Sequence, residues 1–221
     1  MTSASDDRVP VPASRPRRLV IAAVAAVAWF GVVLQFGLTL HTAQGNGKTL
    51  AGGVAVYLGF FTVLTNIFVA LVLTLPRVAP SSRAGRFFGR AQVAGCAAAS
   101  ITVVGVGYHL LLRHVWNPQG WQWVADVTLH YAVPLSFVLC WLFVLPKPRL
   151  PWRSPWGWCL YPIVYVGYVL VRGVLLQSYP YPFIDVAVLG YGRAMLNAAG
   201  LLVVFLVTGW VYVGWSRAFP R

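Results

Sequence analysis

The sequence predicts an all-α membrane protein, a bundle of six transmembrane helices, from three observations. Six apolar runs occupy 19–40, 54–75, 91–112, 124–145, 156–176 and 194–215. At a rise of ~1.5 Å per residue, about 20 residues cross a hydrocarbon core of ~30 Å. The 221 residues are 59% hydrophobic and 10% charged, with a mean hydropathy of +0.72. The 17 Lys and Arg fall almost entirely between the runs, against only 4 Asp and Glu. Backbone is satisfied in lipid only by helices or closed barrels, and runs of this length are helical.

Residues 1–18, rich in Pro, Ser and Arg, read as a disordered basic cytoplasmic tail against anionic lipid headgroups. The first run is too long for a signal-peptide core and is expected to remain as an anchor. The connection after the second run carries Arg77, Arg83, Arg86 and Arg90, and that after the fourth carries Lys147, Arg149 and Arg153. With the tail (Arg8, Arg15, Arg17, Arg18) and the end (Arg217, Arg221), 13 of the 17 basic residues share one side. Positive-inside bias then puts both termini in the cytoplasm of a plasma (inner) membrane. This distribution also explains the basic excess without nucleic acid. The third run is rich in small residues (Gly95, Ala97, Ala98, Ala99, Ser100) and is expected at the bundle centre. Short connections predict that sequential helices are antiparallel neighbours. Trp116, Trp121 and Trp123 mark the outer interface; Trp152, Trp156, Trp158 and Trp215 mark the inner one. Cys96, Cys140 and Cys159 fall in the runs and form no CxxC pair, so they read as buried free thiols. The domain layout is therefore a tail at 1–18, a six-helix domain at 19–215 and a short cytoplasmic tail at 216–221.

Function is sought in the few polar groups at membrane depth, which are costly there. Thr62, Thr65 and Asn66 fall at i, i+3 and i+4, on one face of the second helix. They either hydrogen-bond a neighbouring helix or serve chemistry. In the fourth run Asp126 and His130 are i and i+4, so the carboxylate can reach and orient the imidazole. Counting residues from each helix start puts Thr62 about 12 Å and His130 about 10 Å below the outer interface. A threonine hydroxyl beside a carboxylate-held histidine suits nucleophilic catalysis. Arg172, Arg193, Asn197 and Asp185 gather at the same level: Asp185 pairs with an arginine, or an arginine binds a substrate carboxylate or phosphate. Residues 179–183, Tyr-Pro-Tyr-Pro-Phe, are stiff and amphipathic, suited to a lid over the bundle mouth or to an interfacial belt.

Phe61-Thr62, His130 with Pro134, and Tyr181-Pro182-Phe183 resemble the androgen-induced membrane-protein family, especially its bacterial six-pass branch. The resemblance runs through 61–69, 129–134, 161–173 and 179–186, and leaves out the tail and the basic loops. Eukaryotic members are intramembrane threonine hydrolases of fatty acid esters of hydroxy fatty acids. The resemblance implies that Thr62 is the nucleophile and His130 the catalytic histidine, with Thr65 as an alternative nucleophile one turn away.

The leading expectation is thus a lipid-ester hydrolase in which Thr62 attacks, His130 takes the proton and Asp126 orients it. Asn66 or Thr65 would donate to the oxyanion. Arg172, Arg193, Tyr181 and Phe183 would bind substrate, with no cofactor or metal. The alternatives are a non-catalytic lipid-binding protein and, less favoured, haem chemistry on two of His109, His114 and His130.

Overall fold

The computed structural model of the chain describes residues 14–220. Six helices are long and apolar enough to cross a membrane: α1 (Arg15–Gly45), α2 (Phe61–Val78), α3 (Ala91–Leu112), α4 (Trp121–Phe143), α5 (Ser154–Leu176) and α6 (Val186–Ala218). No strand occurs among the described residues, and the protein is an all-α six-helix bundle. Positions 1–13 of the expected tail lie outside the described residues. Its last part is helical, because Pro16 sits in the first turn of α1, where its missing N–H is no loss. Arg17 reaches from that turn to the carbonyl of Val144 beyond the end of α4.

The second run is not one helix. A short helix, Leu50–Tyr57, is capped by the Thr49 hydroxyl, which accepts from the Gly52 amide at 3.1 Å. The chain then breaks at Leu58, Gly59 and Phe60 before α2 begins. Two side chains of α5 satisfy carbonyls freed by the break. Arg172 Nε donates to Ala55 O at 3.1 Å, and the Tyr165 hydroxyl donates to Gly59 O at 2.9 Å. Thr62 is therefore the second residue of α2, not a residue two turns down an unbroken helix.

Helix α3 is central, as its small residues predict, and packs against α2, α4 and α6. The core it shares with them includes Val69, Leu73, Ile101, Phe137, Trp141 and Phe205. Sequential neighbourhood fails once. The first turns of α5 pack on α3 and α6, because Gly95 and Gly209 leave room for Trp158 and Pro155; a Cβ at either would lie within 2.7 Å and 2.9 Å of them. Trp158 is accordingly buried in the bundle, whereas Trp116, Trp121, Trp123, Trp152 and Trp156 are exposed. Further along, α5 meets α2 through rings: Phe61 stacks near Tyr161 and Tyr165 at 5.2 and 5.0 Å.

Helix α6 starts eight residues before its apolar run. Asp185 caps it, accepting from the Ala187 and Val188 amides, and Gly190 kinks it at φ 72°. The three cysteines are free and buried.

Candidate functional site

The site is built where α3 and α4 both depart from α-helical winding. Tyr108–Leu112 and Thr128–Ala132 are π-helical turns, a local widening that recurs at functional sites. In α4 the reason is Pro134, which has no N–H for the His130 carbonyl and whose ring crowds it. The wider turn leaves His130 Nδ1 between two acceptors of Asp126, 2.9 Å from its backbone oxygen and 3.1 Å from Oδ1. With acceptors on that side, Nδ1 carries the hydrogen and Nε2 is the basic nitrogen. Tyr108 donates to Asp126 Oδ2 at 2.5 Å and stacks its ring on His130, 3.8 Å between centroids at 13°. Asp126 is 4% exposed, so the carboxylate is fixed by Tyr108 on one oxygen and faces the imidazole with the other.

Thr62 stands across from this group. Asn66 donates to Thr62 O at 2.8 Å and, from the same nitrogen, to Leu129 O at 3.2 Å. This single amide ties the first turn of α2 to the turn that holds His130. The segment 179–183 supplies the other partner: the Thr62 amide donates to the Tyr181 hydroxyl at 3.3 Å, and Thr62 Oγ1 lies 3.4 Å from the same oxygen. Tyr181 is buried, stacked on Phe183 and edge-on to Phe60. Burial holds its phenol above the ordinary range, opposed by the hydrogen bonds from Thr62, so it is a neutral hydroxyl.

Two cavities adjoin these residues. One of about 260 Å³ is lined by Thr62, Tyr108, Asp126, His130 and Tyr181, with Gln35, Gln122 and Trp116 among its other walls. The second, about 330 Å³, is walled almost wholly by apolar side chains of α3, α5 and α6, with Phe183 in its lining. Thr62, Tyr108, Leu112 and Tyr181 line both. The arrangement can place an extended amphipathic molecule across Thr62, its apolar arm between the helices.

The other candidates sit elsewhere. Thr65 is fully buried and bonded to the Tyr161 hydroxyl at 3.1 Å, outside both linings. Asn66 spends its donors on two carbonyls, so neither residue is placed as an oxyanion donor. Arg172 is buried and donates to Ala55 O and, at 2.8 Å, to Ser178 O. It braces the break and the start of the lid instead of facing a cavity. Arg193 is exposed on α6, and Asp185 caps a helix rather than pairing with either arginine. Asn197 holds the far end of the lid through Phe183 O at 2.9 Å. His109, a candidate haem ligand, turns outward, with Tyr131 and Arg113 at its two nitrogens. Sequence reasoning missed Tyr108, Gln35 and Gln122. Tyr108 opens a π-turn, and simple helical spacing does not reveal its stack on His130.

The chain matches no protein-family model, no curated protein and no solved structure. The family resemblance therefore rests on the residues themselves.

Proposed function

We propose that the protein is an intramembrane lipid-ester hydrolase with Thr62 as nucleophile, His130 as general base and Asp126 as the group that orients it. The observation that carries this reading is that Thr62, His130 and Asp126 line one cavity, and that Thr62 also lines an apolar one beside it. In the proposed reaction His130 Nε2 accepts the Thr62 proton as Oγ1 bonds to the ester carbonyl carbon. Collapse expels the alcohol, which takes that proton, and water repeats the sequence on the acyl-threonine. Asp126 balances the imidazolium that forms. The same reading makes the chain a relative of the androgen-induced membrane-protein family. It also places the protein in the plasma membrane with both termini cytoplasmic and the site in its outer half, on the charge asymmetry. The test is hydrolysis of a lipid-ester panel by purified protein, beside Thr62→Ala and His130→Ala.

A non-catalytic lipid-binding protein is the second reading. It is favoured by the Thr62 hydroxyl already having Tyr181 as a neighbour. Covalent labelling of Thr62 by a fluorophosphonate separates the two: a binding protein leaves it unlabelled.

A further inference from the structure

We infer that Tyr181 is a catalytic residue of this hydrolase, donating its phenolic hydrogen to the carbonyl oxygen as negative charge develops there. The inference rests on the Thr62–His130 reading and adds the group that reading lacks, since Asn66 and Thr65 are both committed elsewhere. Four observations carry it. The Tyr181 oxygen lies 3.4 Å from the nucleophilic oxygen, close enough for one hydroxyl to serve a carbonyl under attack by the other. It accepts the Thr62 amide hydrogen, a bond that fixes the phenol oxygen without using the phenol's own hydrogen. Tyr181 lines both cavities together with Thr62, so an ester bound at Thr62 from either side lies beside it. Finally, the phenol is pre-placed by packing: Phe183 lies parallel to its ring at 5.1 Å and Phe60 meets its edge at 5.8 Å. A donor held by rigid surroundings needs no reorganisation during reaction, which is what makes such groups effective.

The electron balance is simple. As Thr62 Oγ1 forms its bond to the carbonyl carbon, the π pair moves to the carbonyl oxygen, which accepts the Tyr181 hydrogen bond; the proton of Tyr181 is not transferred. Expulsion of the alkoxide restores the carbonyl, and the alkoxide takes its proton from His130. Tyr181 repeats the role when water attacks the acyl-threonine.

The substrate-binding role expected for Tyr181 and the catalytic one differ in which constant falls. In full-length protein in detergent micelles, Tyr181→Phe keeps the ring contacts and is expected to lower kcat for a medium-chain p-nitrophenyl ester about 100-fold, with KM within about threefold of wild type. The rate of Thr62 labelling by a fluorophosphonate, whose phosphoryl oxygen develops the same charge, is expected to fall in parallel. Fluorotyrosine and difluorotyrosine at the same position preserve shape and folding. At a pH where each phenol remains protonated, kcat is expected to change progressively with donor acidity. A Tyr181→Phe kcat within threefold of wild type, or a flat kcat across the fluorinated series, overturns the inference while Thr62→Ala remains inactive. Full activity in Thr62→Ala instead removes the reading beneath it.

Discussion

At the scale of single residues the site is a set of side chains each fixed by one or two bonds, and the bonds make unequal predictions. Asn66 is the link between α2 and α4, so Asn66→Ala breaks two buried hydrogen bonds and leaves the Thr62 and Leu129 carbonyls short of donors. It is expected to destabilise the protein by about 1–3 kcal/mol and to lower activity through misplacement of Thr62. Thermal unfolding in detergent and the fluorophosphonate labelling rate check the two effects separately. Tyr108→Phe keeps the stack on His130 but strips the donor from Asp126 Oδ2. Because both residues act through the imidazole, the loss in kcat for Tyr108→Phe combined with Asp126→Asn should be much less than the product of the single losses. A multiplicative loss in that double-mutant cycle would separate Tyr108 from the histidine. The Asp126–His130 pairing was legible from i,i+4 spacing alone. The Tyr108 contact was not, since a π-turn shifts the register on which spacing depends.

At the scale of elements, the break before α2 and the lid belong together. Arg172 grips Ala55 in the short helix ahead of the break and Ser178 just before 179–183, so one guanidinium joins the two pieces that approach Thr62. The lid also needs Gly173. A Cβ there would meet the Tyr179 ring at 2.0 Å, so the ring must move. Gly173→Ala is expected to lift 179–183, withdraw Tyr181 and cut activity more than tenfold, of the order expected when catalytic groups are misplaced by ~1 Å. Limited proteolysis at the lid should accelerate in the same variant; an unchanged cleavage rate would mean that the ring moves and the lid does not. The stiff Pro-flanked segment was legible as a lid or an interfacial belt; its contact with Thr62 was not. The break was not, because 54–75 is apolar throughout and hydropathy is blind to carbonyls capped from another helix.

At the scale of the whole molecule, hydropathy located all six helices because length and apolar content decide membrane crossing. It misjudged their ends where local bonds decide, as at Pro16 and Asp185. It also gave no hint that α5 meets α2 through aromatic rings, two of which, Phe61 and Tyr165, line the apolar cavity beside Thr62. The proposed orientation predicts that a cysteine at position 48 is labelled from outside intact cells by an impermeant maleimide, and one at position 83 is not. Labelling of position 83 would reverse the bundle and the side from which substrate reaches the site. The central claim, however, concerns chemistry at Thr62. The most direct measurement is turnover of a medium-chain lipid ester by purified wild-type, Thr62→Ala, Thr65→Ala and His130→Ala proteins that share one melting temperature. The account predicts loss of at least about 1000-fold for Thr62→Ala and His130→Ala, as for other catalytic dyads, with Thr65→Ala retaining most of the rate. Wild-type turnover in Thr62→Ala, or no turnover in the wild type itself, would contradict it.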